Sequence, residues 1–186
     1  MTLRQIDIDV EALTPAAFAP FGTVLSPEGR DRLPVNTYGD ALDLYREGFE
    51  TDQPIEWFIV QGKPRPREAL FLERHLQITQ AFLPLGGQGF VMLVARPDAE
   101  TEADGMILPA ETRAFRVPGN VGVQLRRGTW HENPFPETAG QVFLVTSHAA
   151  LTRGHQTNPR ADLADLPLDL ERRFYAERNT RLCLRG

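Results

Sequence analysis

Six short runs of strand-forming residues recur at near-regular intervals through the middle of this chain, and Gly or Pro turns separate them. They are Ile55–Gln61, Gln80–Leu83, Gly89–Ala95, Ala114–Val117, Gly122–Leu125 and Gln141–Thr146. Runs this short, rich in Val, Ile, Leu and Phe, suit strands better than helices, and no helical pattern separates them as alternating βα units would require. The expected fold is mainly β, an antiparallel barrel or sandwich. Helical signals lie at the ends. Thr14-Pro15 reads as an N-cap followed by a proline at the first helical position, ahead of a first strand at Phe21–Leu25. Residues 26–54, rich in Pro, Gly and Asp with a short turn at Gly39–Tyr45, read as a loop over one end of the barrel. Near the other end, Leu170, Phe174 and Tyr175 recur at near-helical spacing within Pro167–Arg178 and predict a C-terminal helix. The division expected is a barrel domain over residues 1–158 and a helical extension over 159–186.

At 186 residues, 41% of them apolar, the chain is long enough for one domain with a sizeable core. Its formal charge is −5 and Lys63 is its one lysine, so no basic stripe exists to engage nucleic acid. The apolar runs are too short to span a bilayer. A single cysteine, Cys183, and a polar Met1–Asp7 segment without a signal-like apolar region predict a cytoplasmic protein without disulfides. A small-molecule function fits best.

Two segments carry candidate chemistry. The first is Glu73-x-His75-x4-Gln80-x6-Gly87 and the second is Arg126-x-Gly128-x2-His131. Both match, in spacing, the two metal-binding signatures of cupin barrels, with Glu73 at a usual His position and Gln80 at a usual Glu position. Residues two apart in a strand share a face, so Glu73 and His75 project together, Gln80 joins them from the next strand, and a distant strand supplies His131. Two imidazoles with carboxylate and amide oxygens suit a divalent metal such as Ni, Mn, Fe or Zn. The plainer alternative is a pair of hydrogen-bonded structural histidines.

Further blocks extend the similarity: Phe18-Ala19-Pro20-Phe21-Gly22, Glu73-Arg74-His75, Thr79–Gly86, Phe90–Ala95, Gly122-Val123 and Arg127-Gly128-Thr129-Trp130-His131. In order and spacing, over roughly residues 13–148, the chain resembles the ureidoglycolate lyases. That resemblance implies a cupin-like barrel, a homodimer, and cleavage of ureidoglycolate to glyoxylate and urea in purine degradation. The chain departs from the family pattern near the expected pocket. Gln124 and Leu125 stand where an Asn-Tyr pair is usual, Glu132 and Asn133 precede Pro134, and Ser147-His148 replaces Asp-Arg.

Such a reaction asks for a cation to bind a carboxylate, a base for a hydroxyl proton, and a donor for the departing nitrogen. Arg127, with Arg126 as the alternative, is the expected carboxylate fork, with Gln124 and Trp130 beside it. His75 or His131 serves as base unless both bind a metal, and Glu132 is a further acid–base candidate although its strand neighbour His131 should face the other way. Other residues read as structural: Trp57 in the core, Arg74 toward solvent or a partner subunit, Gly86–Gly89 as a hairpin, and His148 and His155 at the surface or in loops. A metal-dependent cupin isomerase or a non-catalytic ligand-binding barrel is the competing class.

Overall fold

A computed structural model describes residues 3–35, 41–63, 65–149 and 170–186. In chain order the elements are β1 (Arg4–Ala12), α1 (Pro15–Phe18), β2 (Gly22–Leu25), β3 (Ile55–Gln61), β4 (Glu68–Ala69), β5 (Phe71–His75), β6 (Gln80–Leu85) and β7 (Phe90–Ala95). There follow β8 (Thr112–Val117), β9 (Gly122–Leu125), β10 (Trp130–His131), β11 (Phe135–Pro136), β12 (Val142–His148), β13 (Leu170–Phe174) and β14 (Thr180–Arg185). A nine-stranded sheet runs β13-β5-β10-β7-β8-β1-β14-β4, with β11 also paired to β7, and a five-stranded sheet runs β2-β9-β6-β12-β3. The fold is a mainly β barrel, as the strand pattern predicts. The short helix α1 is present, with the Ala17 N–H donating to Thr14 Oγ1 at 3.1 Å.

Strand β7 explains the layering. All six of its residues are buried, because alternate side chains enter two different cores. Phe90, Met92 and Val94 point between the sheets, with Phe82, Phe115, Val123, Leu125 and Phe143. Val91, Leu93 and Ala95 point to the opposite face of the larger sheet, with Leu72, Ile107, Trp130, Phe135, Tyr175 and Leu182. At β7 the larger sheet is thus buried on both sides.

Two expectations are corrected at the chain ends. The segment read as a C-terminal helix is, over its described residues, strand β13, a short 3-10 turn at Tyr175–Arg178, and strand β14; its start, before residue 170, lies outside the described residues. The physical reason is that Leu170 and Phe174, four apart, share a face in a helix and in a strand alike. Pairing to β5, with Leu170 opposite His75 and Phe174 opposite Phe71, decides for strand. At the other end, the alternation Ile6, Ile8, Val10 forms β1, which pairs in parallel with β14 and then with β8. The barrel is therefore antiparallel except along β1. Trp57 is also misplaced by the sequence reading: it is 53% exposed on the outer side of β3, an edge strand.

Gly22 is required where β2 crosses β9. A Cβ there would sit 1.9 Å from the Gln124 carbonyl oxygen, whereas one on Gly48 meets nothing within 4 Å. Gly22→Ala is expected to lower unfolding free energy by about 1–3 kcal/mol or more through backbone displacement, while Gly48→Ala stays within about 0.5 kcal/mol of the parent. Urea denaturation of the two variants measures the contrast.

Candidate active site

Strand alternation assembles the site. On β5, Leu72 enters the second core and Arg74 stacks over Trp130 with its guanidinium carbon 4.4 Å from the ring centroid. Glu73 and His75 consequently face the barrel interior. The two-residue strand β10 lies between β5 and β7, with His131 opposite both Glu73 and Val94. Val94 belongs to the barrel core, so His131 points inward with it. The preceding turn fixes that placement. The Thr129 N–H donates to the Arg126 carbonyl at 3.2 Å, Gly128 adopts φ +78°, and its N–H donates to the His75 carbonyl at 2.7 Å. The two imidazole rings end 5.6 Å apart.

Gln80 opens β6 opposite Leu125, whose side chain is in the barrel core, and it therefore also faces inward. Glu73, His75 and Gln80 line a cavity of about 200 Å³ together with Phe58, Val60, Asn133, Val145, Ser147, Leu170 and Arg172. His131 is buried behind His75 and packs against Phe82, ring centroids 5.8 Å apart.

Burial sets the charge states. His75 is pushed down to about 3, first by desolvation and then by the charges of His131, His148 and Arg172. Desolvation likewise lowers His131, against the opposing pull of Glu73 and of the Thr129 carbonyl. Both imidazoles are neutral near pH 7. His131 Nδ1 lies 3.0 Å from the Thr129 carbonyl, which can only accept, so Nδ1 carries the proton and Nε2 presents its lone pair. Glu73 Oε1 is 4.0 Å from that Nε2. Its Oε2 accepts from Arg172 Nε at 2.9 Å and Nη2 at 2.8 Å.

A divalent metal fits these residues. One donor atom each from Glu73, His75 and His131 lies within 4.8 Å of the others. Among the described residues, His131 Nε2 and Gln80 Oε1 are buried polar atoms without a hydrogen-bond partner. An unsatisfied buried acceptor costs about 1–3 kcal/mol, and these two lie with the Glu73–His75–His131 donors that a metal takes.

The remaining expected residues lie elsewhere. Gln124 is paired with Ala81 and Thr23, on the outer face of the five-stranded sheet, where its amide donates to the Gly48 carbonyl at 2.5 Å. Arg127 forks onto Asp52 at 3.0 and 3.1 Å. Both line a separate cleft of about 470 Å³ with Arg126, Glu47 and Glu50. Trp130 is opposite Ala95 and packs in the second core. Glu132 follows the parity of Trp130: its N–H joins the Leu93 carbonyl, and its carboxylate accepts from Asn133 N–H at 3.0 Å and lies 3.5 Å from Arg65. Arg74 faces neither open solvent nor the barrel, being half-buried and paired with Glu171 at 2.9 Å. His148 is buried rather than superficial, and His155 lies outside the described residues. Arg172 was not anticipated; no local motif marks it.

Burial raises Glu132 to about 7, with Arg65 and the Asn133 N–H opposing the rise. A carboxyl raised from 4.5 in this way favours the fold below its unfolded value, and that stability is lost as pH climbs through about 7. The loss is on the order of 3 kcal/mol. Glu132→Gln is expected to flatten the pH dependence of stability between pH 5 and pH 8 and to be the more stable protein at pH 8. Thermal melts of both proteins across that range read it out; parallel curves would show that Glu132 is not the titrating group.

Comparison with known proteins identifies the family. The family model described as "Ureidoglycolate lyase" matches residues 5–170. A ureidoglycolate lyase of Pseudomonas syringae pv. tomato is 38% identical over 148 residues, covering 76% of this chain and 83% of the relative. One of Azotobacter vinelandii is 33% identical, covering 74% and 82%, and one of Brucella anthropi is 32% identical, covering 75% and 82%. A match over most of the chain, with relatives above 30% identity along most of their own length, shows that this chain belongs to the ureidoglycolate lyase family.

Proposed function

We propose that the protein is a carbon–nitrogen lyase that cleaves ureidoglycolate to glyoxylate and urea at the Glu73–His75–His131 cavity. The observation that carries this reading is the convergence of one buried carboxylate and two buried, neutral imidazoles, two of the three lining one cavity, in a chain of this family. The substrate is a carbinolamide. Its cleavage removes the hydroxyl proton, forms the aldehyde of glyoxylate, breaks the carbon–nitrogen bond and leaves a proton on the urea nitrogen.

A divalent metal held by Glu73, His75 and His131, with Gln80 as an additional oxygen donor, would supply a Lewis acid for the substrate's hydroxyl and carboxylate. An imidazole held down at about 3 is a poor base near neutral pH but a good neutral ligand, which favours the ligand role for His75. The chain's own work is to hold these donors in place and present the substrate to them. Phe58 and Val145 give one side of the cavity an apolar surface, while Asn133 and Ser147 offer polar contacts to the ureido group. Arg127 is already engaged by Asp52, so the positive charge nearest the cavity is that of Arg172. In this reading the protein acts in purine breakdown through allantoin, in the cytoplasm.

The outer face of β3 supports a homodimer. Trp57 is 53% and Ile59 77% exposed on an edge strand, with Ile55 and Leu85 exposed on the same sheet. Apolar exposure of this kind on an unpaired edge is a docking surface or an aggregation liability. A second copy of the chain is its occupant in this reading. Ile59→Lys is expected to shift the protein from dimer to monomer in analytical ultracentrifugation, and a parent that sediments as a monomer would remove this assignment.

His131→Ala is expected to reduce kcat/KM for ureidoglycolate at least about a hundredfold, since it removes a group that serves chemistry rather than packing. Coupled detection of glyoxylate and urea, with metal analysis of the purified protein and a melting curve, checks it. A folded, metal-loaded parent that forms neither product would favour an isomerase or a binding barrel instead. Loss of melting temperature in proportion to activity would make His131 a structural residue.

A further inference from the structure

We propose that Arg172 is a positioning residue of the site, acting through Glu73, and that strand β13 is part of the active site. The proposal rests on the metal-binding reading above. Arg172 stands directly opposite Glu73 in the β13–β5 pair, so both side chains leave the sheet on the same face. Their side chains are 11% and 8% exposed. Two N–H groups of one guanidinium edge converge on a single carboxylate oxygen, Oε2. The guanidinium is itself braced from below, its carbon lying 5.0 Å from the Phe71 ring centroid.

One consequence follows from that geometry. With its Oε2 held by two N–H groups of Arg172, the Glu73 carboxylate is anchored beside the histidines, and its other oxygen, Oε1, lies 4.0 Å from His131 Nε2. The residue that secures all this lies beyond residue 170, where the match to the family model ends. The site of this chain is completed from outside the family-matched segment.

The experiment is a Co(II) titration of the full-length parent and of Arg172→Ala, Arg172→Lys, Glu73→Ala and the Arg172→Ala/Glu73→Ala double variant, read by the visible absorption of bound cobalt. Arg172→Ala is expected to weaken Co(II) binding about 10- to 100-fold. Arg172→Lys keeps the charge but not the planar fork and should recover at most part of that loss. In the Glu73→Ala background the Arg172 substitution should add less than a twofold change, because its effect passes through the carboxylate. Arg172→Ala that binds Co(II) within twofold of the parent while losing melting temperature would reduce Arg172 to a brace for β13 and overturn the proposal. A fully additive double variant would overturn it too. A parent that takes up no Co(II) defeats both this proposal and the metal reading, but leaves the lyase standing if glyoxylate still forms; the expected cobalt pattern without glyoxylate leaves Arg172 in place and removes the substrate.

Discussion

The pairing of His131 with Glu73 on one side and Val94 on the other is the contact from which the site is built. Strand β10 is two residues long, too short to hold itself in a sheet by ladder bonds alone. The N–H of Gly128 on the His75 carbonyl and the Thr129 hydroxyl on the Phe21 carbonyl at 2.8 Å anchor it from the preceding turn. Because the side-chain period of a strand is two, a slip of one residue in β10 would put Trp130 in the barrel and His131 in the second core. The volume of Trp130 resists that slip: it fills space opposite Ala95, with Arg74 and Arg173 over its ring. The second core thereby sets the register of the first.

That dependence explains which parts of the site can be read from sequence. Glu73 and His75 are two apart, and the Gly128-x2-His131 spacing encodes a tight turn before an inward residue; both are local rules and both hold in the structure. Gln124 and Arg127 lie apart from Glu73 and the histidines for a related reason. Gln124 neighbours Leu125, and only one of the two can face inward; Leu125, the apolar one, enters the core and sends Gln124 outside. Arg127 sits within the turn rather than on a strand, so strand parity says nothing about its direction, and nearby acids at Asp52 and Glu50 take it up.

Other failures come from long-range pairing. The Leu170–Phe174 spacing is compatible with either secondary structure, and the deciding partner, β5, is about a hundred residues earlier in the chain. Trp57 has the size and apolarity of a core residue, yet it belongs to a strand that, among the described residues, has a neighbour on one side only. Arg172 combines both difficulties. It is one of two adjacent arginines in a charged segment, where the common expectation is solvation, and only the pairing register with Glu73 distinguishes it from Arg173, which turns to the Gly105 carbonyl at 3.1 Å.

The electrostatics of the interior then follow from its topology. A carboxylate facing a barrel lumen is costly to keep ionised, and the β5 strand that delivers Glu73 has β10 on one side and β13 on the other. From β10 comes an imidazole that burial keeps neutral; from β13 comes a guanidinium. The three-strand unit therefore holds a carboxylate, a guanidinium and an imidazole lone pair side by side, all largely buried. Neither flanking strand substitutes for the other, since a neutral imidazole cannot compensate a charge and a guanidinium cannot donate a lone pair. Glu73, central in this unit, is in that sense specified by its two neighbours more than by its own place in the sequence.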